Sequence, residues 1–332
     1  MYTAQRREVR NIDTEKTRVA LLSVASNTFL TLSKVTVGLI SGSVSILSEG
    51  IHSGIDLLAA CIAFFAVKES AKPADSRHTY GHGKIENISG TVEALLIFIA
   101  VILIVFEAVR KMSYIIGGDG GEVGSLALDL GLAVMGASAL INVIVSSRLM
   151  KVAKKTDSIA LEADALHLRT DVYTSAGVFA GLLLIRLSGW HIIDPLIALG
   201  VAVMILRAAY KLLKEAFFPL IDVSLPEAEK TIITEVLAQH EQEFVEFHEL
   251  RTRKSGAERY VDLHLVVPNN ISVGEVHELC DVIELEINQR LTGSQVLIHT
   301  EPCGGKDMDC PPETRSSTSC QRCNVYAKRV GG

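Results

Sequence analysis

The sequence predicts an α-helical membrane protein: six transmembrane helices followed by a cytoplasmic α+β ferredoxin-like domain of element order αββαβ. Three observations predict it. Hydrophobic residues fill 48% of 332 positions and aromatic ones only 5%, with mean hydropathy +0.33, which is too apolar for an ordinary cytosolic enzyme. Apolar runs close to the roughly 20 residues that cross a bilayer recur before Pro219, and none follows it. The stretch "LEADALHLRTD", residues 161–171, lies inside one of these runs and carries Glu162, Asp164, His167, Arg169 and Asp171, a density of ionisable groups that calls for a polar bundle interior.

The runs are Val19 to Ile40, Val44 to Val67, Ile88 to Val109, Leu126 to Val145, Ile159 to Ile185 and Ile193 to Ala209. Residues 1–18 are mostly polar and no small-residue cleavage site follows the first run, so it reads as a retained helix. Basic residues set the orientation. Arg6, Arg7, Arg10, Lys16 and Arg18 precede the first run; Lys68, Lys72, Arg77 and Lys84 join the second and third; Arg148, Lys151, Lys154 and Lys155 join the fourth and fifth. The opposite connections, "SGS", "IIGGDGGEVGS" and "SGWH", are nearly free of Lys and Arg. Arg110, Lys111 and Arg186 run against the trend, but Glu107 can pair with the first two. Both termini are therefore expected in the cytoplasm. Short loops and the lack of a targeting segment point to the inner (plasma) membrane of a bacterium.

Residues 19–220 thus form the expected transport domain, after a cytoplasmic N-terminal segment, 1–18. Residues 221–302 read as helix ("PEAEKTIITEVLAQH"), strand ("FVEFHELRTRKS"), strand ("RYVDLHLVV"), helix ("VGEVHELCDVIELEINQRL") and strand ("QVLIHTE"). Residues 303–332 lack apolar periodicity and read as a disordered, Cys-containing tail. Its "CQRC" does not match a zinc-finger spacing, which leaves metal capture and a plain extension both open. A net charge of −6 argues against a nucleic-acid partner.

Residues four apart share a helix face. His52 and Asp56 ("HSGID") form such a pair in the second run, and His167 and Asp171 repeat it in the fifth. Two imidazoles and two carboxylates on facing helices make a tetrahedral N and O donor set, most natural for Zn²⁺. The bland alternative, a helix-packing hydrogen bond, suits one such pair; two at identical spacing weigh against it, because an ionised residue at a helix centre costs about 2.5–3.5 kcal/mol. Arg169 points away from this face. Glu49 and Asp164 lie one turn from the pairs, as outer partners of the imidazoles, ion-path residues or water-exposed groups. Asn27, Thr31, Lys34 and Gly38 form a polar stripe on the first run, and Glu86, Gly90 and Glu93 another on the third.

With the charged loop "PADSRHTYGHGKIE", these motifs resemble the cation diffusion facilitator family of zinc and related divalent metal transporters, in its bacterial ferrous-iron/zinc efflux type. The resemblance covers about residues 10–302. It implies that His52, Asp56, His167 and Asp171 form the transport site, and the His at 52 favours zinc over manganese. The expected activity is Zn²⁺ efflux by metal/proton antiport with alternating access, and no enzyme is expected. The alternatives are Fe²⁺, Cd²⁺ or Co²⁺ as main cargo, and a membrane metal sensor without transport.

Asp75, His78 and His82 in the loop offer three ligands within eight residues, which could hold an ion or remain a solvated loop. The resemblance implies a second metal site there. Strand alternation turns His264 away from its own domain's core, and His248, His277, His299 and Glu301 complete a candidate cluster at a subunit interface. The resemblance implies zinc binding there in a homodimer, with Glu301 where some members carry Asp. It also implies an interlocking salt bridge at the junction of the two domains, for which Lys84 and Asp222 are the candidates. His191 and His240 receive no role.

Overall fold

The computed structural model describes residues 2–41, 44–117, 125–188, 193–269 and 271–303; helix side chains at 2–12, 38, 41, 44–49, 51, 52, 111, 114–117, 125–135, 174, 175, 177–188 and 193–195 lie outside the description. The chain divides into two compact units, Met1–Leu220 and Ile221–Gly332.

The first unit contains six long helices: α1 (Tyr2–Ser41), α2 (Val44–Ser70), α3 (Lys84–Gly117), α4 (Ser125–Thr156), α5 (Ile159–Ser188) and α6 (Ile193–Phe217). Helix α1 starts well before its apolar run, so residues 2–18 are helical and continuous with it. Among the described residues, Asp13–Val37, Lys84–Arg110, Gly136–Thr156 and Leu196–Ile221 are long and apolar enough to cross a membrane. The outer face of α3 exposes Ile88, Leu95, Ile99, Ile102, Leu103 and Phe106, as a helix solvated by hydrocarbon should.

Small side chains let these helices meet closely. Ala20, Ala66, Ala153, Ala160 and Ala165 pack with Leu149, Leu161 and Leu168 where α1, α2, α4 and α5 converge. Ala94, Ala163, Ala202 and Ala209 do the same for α3, α5 and α6 with Ile97, Ile205 and Leu212. With no hydrophobic drive between helices in lipid, such close backbone approach supplies the attraction. At Gly50 a Cβ would stand 2.8 Å from Val35 Cγ2 and 3.1 Å from the Val35 nitrogen, so the α1–α2 approach requires glycine. A polar knot joins three helices and the α4–α5 connection: Lys16 Nζ of α1 lies 3.0 Å from Glu86 Oε1 of α3, and the hydroxyls of Ser70 (α2) and Ser158, just before α5, donate to the same carboxylate.

The second unit has the elements α7 (Glu227–Gln239), β1 (Glu246–Ser255), β2 (Glu258–Val267), α8 (Val273–Arg290) and β3 (Ser294–Pro302). The sheet order is β1-β2-β3, with β1 antiparallel and β3 parallel to β2. The αββαβ order matches the expected α+β domain. Val261, Leu263, Leu265 and Val267 alternate into a core with Ile233, Leu237, Ile283 and Ile287. Helix α8 opens with a capping box: Glu275 N–H donates to Ser272 Oγ at 3.2 Å, and Ser272 N–H to Glu275 Oε2 at 2.9 Å. The tail from 304 on, with Cys310, Cys320 and Cys323, lies outside the described residues.

Candidate metal centres

Helices α2 and α5 pack together and bring Asp56 to His167. His167 Nε2 lies 3.1 Å from Asp56 Oδ1, with the residues 6% and 5% exposed. Asp171, one turn further along α5, is half-buried and acts electrostatically on His167. His52 is on α2 one turn from Asp56, but its side chain, like that of Glu49, lies outside the described residues. Beside this pair, Lys34 Nζ of α1 donates to Ser53 Oγ at 2.8 Å, and Thr31 Oγ1 to the Ser53 carbonyl at 2.8 Å. The polar stripe of α1 therefore faces α2. Glu93 and Asp164 are fully buried, while Glu162 is half-buried. Asp164 is thus not water-exposed, which removes one of its three readings.

The loop between α2 and α3 folds back on itself. Asp75 Oδ1 accepts the backbone N–H groups of Arg77 at 2.8 Å and His78 at 2.7 Å, which hold its carboxyl below the usual carboxylate range. Gly81, at φ +78°, completes the turn. His78 Nδ1 and His82 Nε2 then lie 3.3 and 3.5 Å from the two Asp75 oxygens, and the rings are 4.5 Å apart. His82 Nδ1 meets the Lys72 carbonyl at 3.3 Å, which aims Nε2 at Asp75. Ligand atoms of Asp75, His78 and His82 fall within 4.8 Å of one another.

In the second unit, strand register does the assembling. His248 pairs across the sheet with His264, and His264 with His299, which puts three imidazoles in one row. Glu301, two residues past His299 on the same face, brings Oε1 to 2.9 Å from His264 Nδ1 and Oε2 to 3.3 Å from His248 Nε2. Its Oε1 is also 3.7 Å from His299 Nε2. His248, His264 and Glu301 offer ligand atoms within 4.8 Å of one another. His277 is not brought to this row: it is exposed on α8, with Nδ1 3.6 Å from Asp281. Sequence reasoning missed Glu249, which occupies a bulge at φ +50° and turns its carboxylate to 3.9 Å from His264 Nε2. It also missed His240, whose Nδ1 and Nε2 lie 2.7 and 3.3 Å from Glu243 and Glu286.

Lys84 Nζ donates to the Leu220 carbonyl at 3.4 Å in the first unit, and Asp222 lies 3.7 Å from Arg253 Nη1 in the second.

Residues 20–221 match the family model of the cation efflux transmembrane domain, and residues 225–303 that of the cation efflux protein cytoplasmic domain. The chain is 40% identical over 266 residues to an uncharacterized transporter of Synechocystis sp., covering 79% of this chain and 83% of that protein. It is 32% identical over 286 residues to the cation-efflux pump FieF of Salmonella typhimurium, covering 86% and 92%. A solved metal-bound C-terminal domain of the CzcD transporter from Thermotoga maritima is 26% identical, covers 25% of this chain and 100% of that one, and has a TM-score of 0.23.

Proposed function

The chain belongs to the cation efflux family, the cation diffusion facilitators, which are membrane-integral divalent metal transporters, and from that premise we propose that it expels Zn²⁺ in exchange for protons through His52, Asp56, His167 and Asp171. The observation that carries this reading is the 3.1 Å approach of His167 Nε2 to Asp56 Oδ1, from two different helices and inside the bundle. A neutral imidazole nitrogen and a carboxylate oxygen at that separation can share one ion with only a small outward shift of each. Asp171 and His52, each one turn from these groups, would complete four donors with two negative charges, which balances a dication.

The cycle follows from that chemistry. With the site open to the cytoplasm, Zn²⁺ binds the deprotonated donors; the helices rearrange; on the far side protons compete for the same lone pairs and displace the ion. Each proton bound occupies an electron pair that the metal had used, so release of the ion and uptake of protons are one event. The Asp75, His78 and His82 loop cluster and the His248, His264, His299 and Glu301 row are accessory metal sites in this proposal, the second stabilising a homodimer in response to cytoplasmic zinc. The membrane is the inner (plasma) membrane, with both termini in the cytoplasm.

Flux of Zn²⁺, Cd²⁺, Fe²⁺ and Co²⁺ into proteoliposomes, with and without a pH gradient, tests the proposal. Zinc uptake should accelerate when the lumen is acidic and dissipate the gradient as it proceeds. Binding without flux would leave a sensor instead, and flux indifferent to pH would remove the antiport.

A further inference from the structure

We propose that Asp164 is a positioning residue for the transport site: when an ion takes Nε2 of His167, the Asp164 carboxylate accepts the hydrogen bond from Nδ1–H and fixes the ring. This rests on reading His167 as an ion ligand. The structure supplies both halves of the missing bond. His167 Nδ1 is buried and has no hydrogen-bond partner among the described residues, and neither oxygen of Asp164 has one there, although Asp164 is 0% exposed. Buried polar atoms are nearly always paired, so three orphans one helical turn apart call for an explanation. Residues three apart share a helix face, and side chains lean toward the helix N-terminus, so the His167 ring leans over the turn that carries Asp164. The two groups act on each other electrostatically, and Asp56 acts on both.

The neighbours offer no better partner. Among the described residues, Ser23 of α1 is the one hydroxyl that acts on Asp164, and its Oγ is also engaged as acceptor of the Asn27 amide at 3.5 Å. Glu93 of α3, a further carboxylate within electrostatic reach, already takes the Ser89 hydroxyl at 3.2 Å. Glu86, by contrast, has a lysine and two hydroxyls. A neutral imidazole has one lone pair and one N–H. If Nε2 gives its lone pair to the metal, Nδ1 must carry the proton, and a carboxylate that receives it orients the ring and raises its basicity.

The test uses the full chain with His78→Ala and His264→Ala as a common background, so that bound zinc reports the intramembrane site. Zinc affinity is read by competition with a chelating indicator, and the ring state by ¹⁵N spectra of histidine-labelled protein. Asp164→Ala should weaken zinc binding by about 10- to 100-fold, Asp164→Asn by less because its amide oxygen still accepts, and Asp164→Glu should restore part of the loss. The zinc-loaded parent should show one ring, absent in His167→Ala, with metal on Nε2 and a proton on Nδ1. Affinity for zinc unchanged in both Asp164→Ala and Asp164→Asn, or metal on Nδ1, overturns the proposal. If Asp164→Ala does not fold, the isosteric Asp164→Asn decides the affinity. Asp56→Ala separates the two readings: zinc binding that survives it sinks the transport site itself, whereas its loss beside an unaffected Asp164→Ala sinks only the positioning role.

Discussion

The Asp56–His167 pair inside the helix bundle and the His248–His264–His299 row on the sheet use the same donor chemistry and are built in opposite ways. The row is set by strand register, is partly exposed, and binds its own groups together through Glu301. The intramembrane pair is buried at helix contacts that depend on small residues, and among the described residues leaves His167 Nδ1 and both Asp164 oxygens unpartnered. A sheet holds its ligands at fixed spacing and suits an ion that stays. Helices that can shift past one another, around a site with unsatisfied groups, suit an ion that must arrive and leave. On the proposed function, the difference teaches that geometry of support, more than ligand identity, would separate a resident metal site from a transit one.

That contrast is breakable. Removing a transit ligand should abolish transport: Asp171→Ala should lower zinc flux on the order of 100-fold or more, with the sheet cluster still loading zinc. Forcing α1 from α2 should come next. Gly50→Val, whose Cβ would meet Val35 at 2.8 Å, should cost about 1–3 kcal/mol and lower the melting temperature of the purified protein. The paired change His264→Ala with Glu301→Ala should slow flux about fivefold at sub-saturating zinc and little at saturation; equal rates at all concentrations would leave the row without a regulatory part.

The smallest effect belongs to His240. Burial pulls its pKa down, but the hydrogen bond to Glu243 and the ion pair with Glu286 outweigh this and raise it above 6.5. A raised folded pKa gives stability that is fully present below pH 6.5 and is lost as pH rises through the folded value. His240→Gln should therefore melt roughly 2 °C lower than the parent at pH 6, and the gap should narrow as pH rises above 6.5. A gap that widens with pH would contradict this pairing.

The pattern of legibility follows the range of the forces. The four-residue spacing of His52 and Asp56, and of His167 and Asp171, is a local property of a helix, so it can be read from the letters. Period-two alternation likewise turns Val261, Leu263, Leu265 and Val267 into the core. Glu249 was hidden because its place depends on a bulge with positive φ at a residue that is not glycine. The knot of Lys16, Ser70, Glu86 and Ser158 was hidden because it joins residues up to 142 positions apart (158 − 16), which only the packed bundle brings together. Asp164 sits between the two cases. Its spacing from His167 was legible, but only burial could remove the water-exposed reading.

The most direct test is a zinc-loaded structure with the metal located by its anomalous signal. The account predicts a peak within the bundle, about 2.0–2.2 Å from His167 Nε2 and an Asp56 oxygen, with His52 and Asp171 closing the sphere. Peaks confined to the loop and sheet clusters, with no metal between α2 and α5 at saturating zinc, would contradict it.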